Sequence, residues 1–298
     1  MPKADARSHD PWLSRFDPLA RILVADDFDD GINGWSTLIG NYEGDLGTML
    51  PGYRDLRPAM LSNLTMWDTG SAGSMDGTYA LKLATRPRSG HTAVNIKRVT
   101  WRHVGLVQLE CYLAYKPEAR DLALGELDVR AFGLLFDIQD DEARWMPHLR
   151  FLNALEGRPA AGSATQQASL ETPEGRWQYK RETEPIASIG GSGKTVSHFH
   201  LSPNGWLDVP GGSQVLPYNE IATKVNWSYL RVVIDTRLRS FVEFQCNDRV
   251  FDGSALGVIR LPPMPNLRSM LNVAFFVQTD VDKRAFLLLD SVVLSTDG

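Results

Sequence analysis

The sequence lacks the features that support membrane insertion, disulfide cross-linking and nucleic-acid binding. It has only two cysteines in 298 residues, Cys111 and Cys246, each inside a strand-like apolar run. No apolar run approaches the ~20 residues of a membrane span, and none of signal-peptide length occurs near the start. Lys and Arg number 31 against 36 Asp and Glu, which leaves a net charge of −5. We therefore predict a cytoplasmic protein with reduced, buried thiols and no membrane or nucleic-acid partner.

Helical periodicity is also scarce. Short alternations of apolar and polar residues follow one another along the chain, separated by clusters of Gly, Asp and Ser. This pattern favours an all-β fold, an antiparallel β-sandwich with few short helices, over a parallel α/β sheet.

We predict an N-terminal extension over residues 1–20 and one sandwich domain over 21–298, with long loops at 29–57 and 156–174. Short helices are predicted near 11–20, 118–125 and 217–223. The predicted strands are 21–28, 58–67, 78–86, 92–101, 104–115, 129–138, 144–155, 175–183, 195–201, 226–235, 240–247, 270–279 and 285–295.

The clearest predicted hairpin covers residues 226–247. Alternate residues of its two strands are apolar and are expected to share the buried face. These residues are Leu230, Val232, Ile234, Val242, Phe244 and Cys246. The opposite face carries Arg231, Glu243 and Gln245.

Three segments resemble parts of concanavalin-like and carbohydrate-binding-module-like jelly rolls. They are DDFDDGINGW at 26–35, the hairpin segment at 227–252 and LLLDSVVLS at 287–295. The resemblance implies that the first and last strands are neighbours. It also implies a structural Ca²⁺ near the chain ends, held by Asp27 with Asp290, although turn and edge chemistry explains the same aspartates. Such sandwiches include lectins, hydrolases, lyases and plain binding modules.

The sharpest local signal is His198-Phe199-His200. Residues i and i+2 of a strand project from one face, so the two imidazoles can serve one metal or one substrate. We predict His148 as a third ligand or catalytic partner and Glu243 as a carboxylate partner, in a site suited to Mn, Fe or Zn. The alternative is a pair of surface histidines on a solvated sheet face.

Two further segments, 144–151 and 175–182, alternate between apolar and cationic residues. Their polar faces and that of the hairpin predict a platform for sugar hydroxyls, carbonyls or carboxylates. The predicted sugar-binding residues on these strands are Arg144, Arg150, Lys180, Arg231 and Gln245. The alternative is that these are simply the solvent faces of a sandwich.

Aromatic residues are concentrated in the loop-rich region 31–70. Aromatic faces beside planar hydrogen-bonding groups suit a pyranose ring, whose C–H groups stack on them. We predict a rim of the ligand cleft made by Trp35, Tyr42, Tyr53 and Trp67 with Arg54. Core packing is the alternative for each aromatic residue.

Two apparent motifs are rejected. GGSGKT at 190–195 lacks the glycine that a phosphate loop requires at Ser188 and precedes a strand pattern, so no nucleotide is expected. The triple-carboxylate strand of many β-glucanases is missing, because its nearest match, 126–130, ends in Arg130. Retaining hydrolysis by that carboxylate arrangement is therefore not predicted.

These observations favour an intracellular carbohydrate-active enzyme, a lyase or hydrolase acting on a sugar or on a modified (keto or acidic) sugar. Elimination would require a base such as His198 or His200, with a cation or metal to stabilise the enolate. Replacing either histidine should then lower the rate roughly 10²-fold or more. The alternatives are a non-catalytic carbohydrate-binding module and a structural sandwich protein. Whether the protein is a homo-oligomer stays open.

Overall fold

The computed structural model describes residues 10–37, 60–62, 73–117, 129–153, 175–184, 186–189, 195–198, 202, 204–217, 219, 225–279 and 281–298. Within these ranges the chain forms β-strands and one 3-10 turn, Leu13–Arg15. No helix in this part of the chain is long and apolar enough to cross a membrane.

The described strands are β1 Arg21–Asp26, β2 Trp35–Thr37, β3 Met60–Leu61, β4 Leu81–Ala84, β5 Thr92–Val99, β6 Leu106–Pro117, β7 Val129–Gln139, β8 Arg144–Met146, β9 His148–Leu152, β10 Gly175–Lys180, β11 Ile186–Ile189, β12 Thr195–His198, β13 Trp206–Gln214, β14 Ser228–Asp235, β15 Ser240–Cys246, β16 Arg249–Asp252, β17 Ile259–Leu261, β18 Met270–Thr279 and β19 Ala285–Thr296.

The first sheet has the strand order β16-β15-β14-β6-β19-β4-β3, and β1 also pairs with β19. β1 runs antiparallel to β19, with Arg21 opposite Thr296 and Asp26 opposite Val292. The first and last strands are therefore neighbours, as predicted.

The second sheet has the order β13-β10-β9-β7-β18-β5-β2, with β8 joined to β7 and β17, while β11 and β12 pair separately. The pairings around the centre of both sheets are antiparallel. The predicted all-β antiparallel sandwich is confirmed.

Aromatic contacts link the inner faces of the two sheets. The indole of Trp177 on β10 lies edge-on to Phe151 on β9, with ring centroids 5.3 Å apart. It meets Phe244 of the other sheet at the same distance. All three side chains are buried in one hydrophobic cluster that draws residues from both sheets. Burial of such large rings is a principal source of stability in a sandwich.

The predicted hairpin forms from β14 and β15, but one residue of its buried face was predicted wrongly. The register shifts between Val233 and Ile234, so that Ile234 lies opposite Phe241 instead of Val242. Phe241 is buried and Val242 is only half-buried. A β-bulge of this kind adds one residue to a strand and reverses the faces of the residues before it.

Proline and glycine account for further differences. The predicted strand 144–155 is divided at Pro147 into β8 and β9. Conversely, VPGGSQ was predicted to be a turn but lies inside β13. This strand is at the edge of its sheet, where proline and a positive-φ glycine, Gly211 at +64°, are tolerated. The predicted loop 29–57 contains strand β2, and loop 156–174 lies outside the described residues.

The described part of the N-terminal extension packs on the first sheet. The indole N–H of Trp12 donates to Ser291 Oγ at 2.7 Å, and the backbone N–H of Leu19 donates to Ser295 Oγ at 3.0 Å. Phe16 between them is buried. Residues 10–20 thus cover part of a face that would otherwise be open to water.

Both cysteines should resist a thiol reagent in native buffer and react after unfolding. Cys111 and Cys246 are free and buried, and burial raises the pKa of both thiols, that of Cys246 to about 12. The reactive thiolate is therefore scarce in the folded protein. Stopped-flow labelling with and without denaturant measures this; rapid labelling of both thiols in the native protein would contradict it.

Candidate functional site

The site that we favour lies on the outer face of the second sheet, where β9, β10 and β13 pair. Leu149, Phe151, Trp177 and Tyr179 on these strands enter the core. Because side chains alternate along a strand, the residues between them point to the opposite face. The resulting cluster is His148, Arg150, Gln178, Lys180, Trp206 and Asp208, which we call the Trp206 site.

The strand register places these residues in two neighbouring rows. Arg150 lies opposite Gln178, which lies opposite Asp208; in the next row Lys180 lies opposite Trp206. Directly opposite cross-strand residues have Cβ atoms about 4.5–5.5 Å apart, so each row is a contact set. The pairing of three strands therefore brings His148 and Trp206, which are 58 positions apart in the sequence, into one site.

Gly133 on β7 borders the first row and permits close strand contact there. A Cβ atom at this position would lie 2.3 Å from the carbonyl oxygen of Leu149 and 2.7 Å from a ring carbon of Phe276. Any larger residue would push β7 away from β9 or displace Phe276. Phe276 in turn packs against Trp206, with ring centroids 6.1 Å apart.

Two cations lie over the indole of Trp206. The guanidinium carbon of Arg150 is 4.2 Å from the ring centroid, and the ammonium of Lys180 is 4.7 Å from it. The imidazole of His148 meets the same indole edge-on, with centroids 6.2 Å apart. Cation–π attraction stabilises these positions, and it is strongest for tryptophan and for desolvated cations.

Arg150 is held through one edge of its guanidinium. Its Nε donates to Gln178 Oε1 at 2.8 Å, and Gln178 Nε2 donates to Asp208 Oδ1 at 2.6 Å. Among the described residues, the two terminal amino groups of Arg150 have no hydrogen-bond acceptor. Burial and the nearby Arg130 and Arg176 lower the pKa of Arg150 to about 9, so it stays a cation at neutral pH. Its free edge suits a bidentate carboxylate.

Lys180 is a buried amine with little compensation for its charge. Its side chain is 0% exposed, and its ammonium donates to the backbone oxygen of Ser202. Desolvation, followed by the charge of Arg150, lowers the pKa of Lys180 to about 7. The amine therefore changes protonation near neutral pH and can gain or lose a proton during binding or reaction.

His148 is buried with its tautomer set by the backbone. Its Nδ1 lies 3.2 Å from the carbonyl oxygen of Met146. A carbonyl only accepts, so Nδ1 carries the proton of that bond, and Nε2 is the ring nitrogen that could act as a base. The arrangement can supply a base beside two cations.

The fold should gain stability as the pH rises from about 7, and Lys180 should cause part of this gain. The pKa of Lys180 is about 7 in the folded protein and 10.5 ordinarily, so the unfolded chain holds the proton more tightly between these values. The Lys180→Met variant should be more stable than the wild type at pH 7 and show a flatter rise towards pH 9. Denaturant unfolding across this range measures both, and identical slopes for the two proteins would contradict the assignment.

Arg144, predicted to bind sugar, is engaged elsewhere. Its guanidinium makes a bidentate pair with Asp137, with Nε and one terminal nitrogen 2.9 and 2.8 Å from the two carboxylate oxygens. Both side chains are buried. Arg144 therefore has a structural partner and lies outside the Trp206 site, which corrects its predicted place.

The hairpin residues lie on the other sheet. Arg231 donates to Glu243 Oε1 at 2.5 Å, and Gln245 Nε2 donates to the carbonyl oxygen of Asn247 at 2.8 Å. Glu243 is on β15 of the first sheet, whereas His148 is on β9 of the second. The structure does not bring Arg231, Glu243 and Gln245 together with the Trp206 site, so the predicted pairing of Glu243 with His148 is wrong.

Part of the histidine motif and most of the predicted aromatic rim lie outside the residues that the structure describes. His198 ends strand β12, while His200, Tyr42, Tyr53, Arg54 and Trp67 lie outside the described residues. Their roles stay predictions. Trp35 is described and is 2% exposed: its indole N–H donates to Asp26 Oδ2 at 2.8 Å and its ring packs on Phe275. It is a core residue, which corrects its predicted place at the rim.

The two predicted calcium ligands accept hydrogen bonds from the protein. Asp290 is buried and accepts from the backbone N–H groups of Met75 and Asp76, at 2.6 and 3.2 Å, and burial raises its pKa to about 6. Asp27 accepts from the N–H of Asp29. Among the described residues there is no group of three His, Cys, Asp or Glu side chains placed to hold a metal ion. The metal assignment stays a prediction.

A depression elsewhere on the sandwich is a weaker candidate, because its polar groups already have partners. It is lined in part by His103, Gln139 and Asp140. His103 pairs with Asp297 at 2.5 Å, Gln139 binds the backbone of residues 264 and 267, and Asp140 pairs with Arg239. The Trp206 site, in which Arg150 has free donors, is the better candidate.

Sequence reasoning missed Trp206 and Asp208. Both were obscured because SPNG and VPGGSQ on either side indicate turns. The alternation Trp206, Leu207, Asp208, Val209 was the available signal: Val209 is buried in the core, while Leu207 is exposed at the sheet edge.

The comparisons place this sandwich in a family without assigning its chemistry. The chain belongs to the family described as a domain of unknown function, DUF6772, whose profile matches residues 3–298. No curated protein matches the sequence.

Several solved structures are distantly similar. One, concerning endo-acting O-glycanases that members of the human gut microbiota express to initiate mucin breakdown, has a TM-score of 0.42 at 10% identity and covers 92% of this chain and 99% of that chain. An alginate lyase mutant in complex with alginate tetrasaccharide has a TM-score of 0.36 at 10% identity and covers 89% of this chain and 98% of that chain. A lectin from Bauhinia forficata in complex with GalNAc has a TM-score of 0.33 at 8% identity and covers 76% of this chain and 91% of that chain. None of these similarities assigns a ligand to this chain.

Proposed function

We propose that this protein is a carbohydrate-active enzyme, a lyase or hydrolase that acts on a sugar or a modified (keto or acidic) sugar at the Trp206 site. The observation that carries the proposal is the convergence of Arg150, Lys180 and His148 on one indole. An aromatic surface beside planar hydrogen-bonding groups suits a sugar ring, and a base beside cations suits proton abstraction. We also propose, from the sequence alone, an intracellular setting.

The residues support an elimination. Nε2 of His148 removes the proton from the carbon next to a carboxylate or keto group of the sugar, and the electron pair of the broken C–H bond forms an enolate. Arg150 and Lys180 stabilise the negative charge on the enolate oxygen. The enolate then reforms the carbonyl or carboxylate as a C=C bond forms and the C–O bond at the β carbon breaks. The departing oxygen takes a proton from solvent.

Access to the base requires a side chain to move. His148 and Lys180 are both 0% exposed, whereas Trp206, which contacts both, is half-buried at the surface. Trp206 is therefore the described side chain in position to swing aside when a sugar enters. A change in tryptophan fluorescence on binding, lost in Trp206→Phe, is the expected sign of this movement.

The proposal is tested with a panel of neutral and acidic oligosaccharides. Elimination creates a conjugated double bond that absorbs in the ultraviolet, and hydrolysis creates new reducing ends. The wild type and Arg237→Ala, which removes an exposed cation away from the site, should act on the same sugar, and Trp206→Ala should lose activity. Binding without turnover would support the non-catalytic carbohydrate-binding module instead. Neither binding nor turnover across the panel would contradict both.

A further inference from the structure

Positive charge exceeds negative charge at the Trp206 site. The side chains that can carry charge on the four strands around Lys180 are Arg130 and Asp137 on β7, His148 and Arg150 on β9, Arg176 on β10 and Asp208 on β13. Of the two carboxylates, Asp137 makes a bidentate pair with Arg144, and Asp208 pairs with Arg176 at 3.3 Å and accepts from Gln178. Neither Arg150 nor Lys180 has a carboxylate partner among the described residues.

This arrangement of two neighbouring cations is energetically unfavourable in the protein without a ligand. Two cations held over one indole repel each other, and Lys180 is buried away from water with no counter-ion among the described residues. The charge of Arg150 is one of the two causes that disfavour the Lys180 ammonium. An anion entering the site would remove both costs, because it would neutralise Arg150 and favour the charged form of Lys180.

We infer that the ligand of the Trp206 site is a sugar acid, whose carboxylate binds the two terminal amino groups of Arg150 and lies beside Lys180, which takes up a proton as this ligand binds. The inference rests on the proposed function and narrows its substrate class. Gln178, itself held by Asp208, accepts from Nε of the Arg150 guanidinium, so the two terminal amino groups are presented in a fixed plane. Such an edge matches the two oxygens of one carboxylate.

The proton moves from solvent to the Lys180 amine, with no other bond formed or broken. At pH above the pKa of about 7, most of the free protein holds Lys180 neutral. A carboxylate within a few ångströms raises that pKa, and the amine then binds a proton at constant pH. Binding of a sugar acid should therefore weaken as the pH rises, since uptake of a proton becomes more costly.

Isothermal titration calorimetry tests this with matched probes. The probes are the methyl glycosides of glucuronate, galacturonate and mannuronate, each compared with its neutral methyl ester. Titrations at about pH 8 in two buffers of different ionisation enthalpy give the number of protons exchanged. We expect at least one acid to bind about tenfold or more tighter than its ester, with uptake of about one proton.

Three variants separate the contributions. Lys180→Met should abolish proton uptake. Arg150→Lys should keep the uptake but weaken binding, because an ammonium cannot bind both carboxylate oxygens as the guanidinium does. Arg237→Ala should behave as the wild type. Equal binding of acids and esters, lost in Trp206→Ala, would overturn the inference and leave the proposed function standing. Tight acid binding without proton exchange would overturn the role of Lys180. Failure of every acid and ester to bind would overturn both the inference and the proposed function.

Discussion

Replacing His148 with glutamine should lower the rate of the proposed reaction by about 10²-fold or more, because an amide cannot act as the base that Nε2 provides. Substrate affinity should change little, since Arg150 and Lys180 remain. The measurement is kcat and KM on the sugar identified by the panel, with thermal unfolding as a check on folding.

Replacing Arg150 with alanine should lower the activity by a similar factor. This side chain is half-buried at the surface, so its loss should not threaten the fold, yet kcat/KM should fall at least as far as in His148→Gln because binding is weakened as well. Arg237→Ala should retain wild-type kinetics. Wild-type turnover by His148→Gln would remove His148 from the mechanism.

The second large effect concerns stability. Asp137→Ala should destabilise the protein by about 3–5 kcal/mol, because it leaves the buried guanidinium of Arg144 without its bidentate partner. The double variant Asp137→Leu/Arg144→Met removes both charges and should recover most of the loss, since a buried ion pair is often replaceable by apolar residues. Denaturant unfolding measures both. A single variant within about 1 kcal/mol of the wild type would contradict the account of this pair.

The pattern of alternating residues was sufficient to predict the architecture. It predicted the hairpin of β14 and β15, because one face of each strand is buried in a common core. The pairing of β1 with β19 was implied by the resemblance to jelly rolls. It failed where backbone geometry departs from regular alternation. The bulge at Val242 changes which side chains face the core, whereas the break at Pro147 divides one predicted strand into two and leaves its alternation unchanged. Neither is visible from hydrophobicity alone.

The candidate site was only partly predictable, because its composition depends on which strands are neighbours. His148, Arg150 and Lys180 were identified from alternation, but so were Arg144 and Arg231, which have carboxylate partners of their own. Nothing in the sequence states that β9 pairs with β10 and β10 with β13. That order selects Arg150 and Lys180 and adds Trp206, the residue on which the site is built.

The most direct test of the central claim is a crystal structure of the protein with a bound acidic oligosaccharide. The account predicts a ligand carboxylate within hydrogen-bond distance of the terminal nitrogens of Arg150 and beside the Nζ of Lys180, with the indole of Trp206 against the sugar. A ligand bound instead on the face of the first sheet, at Arg231 and Gln245, would contradict it.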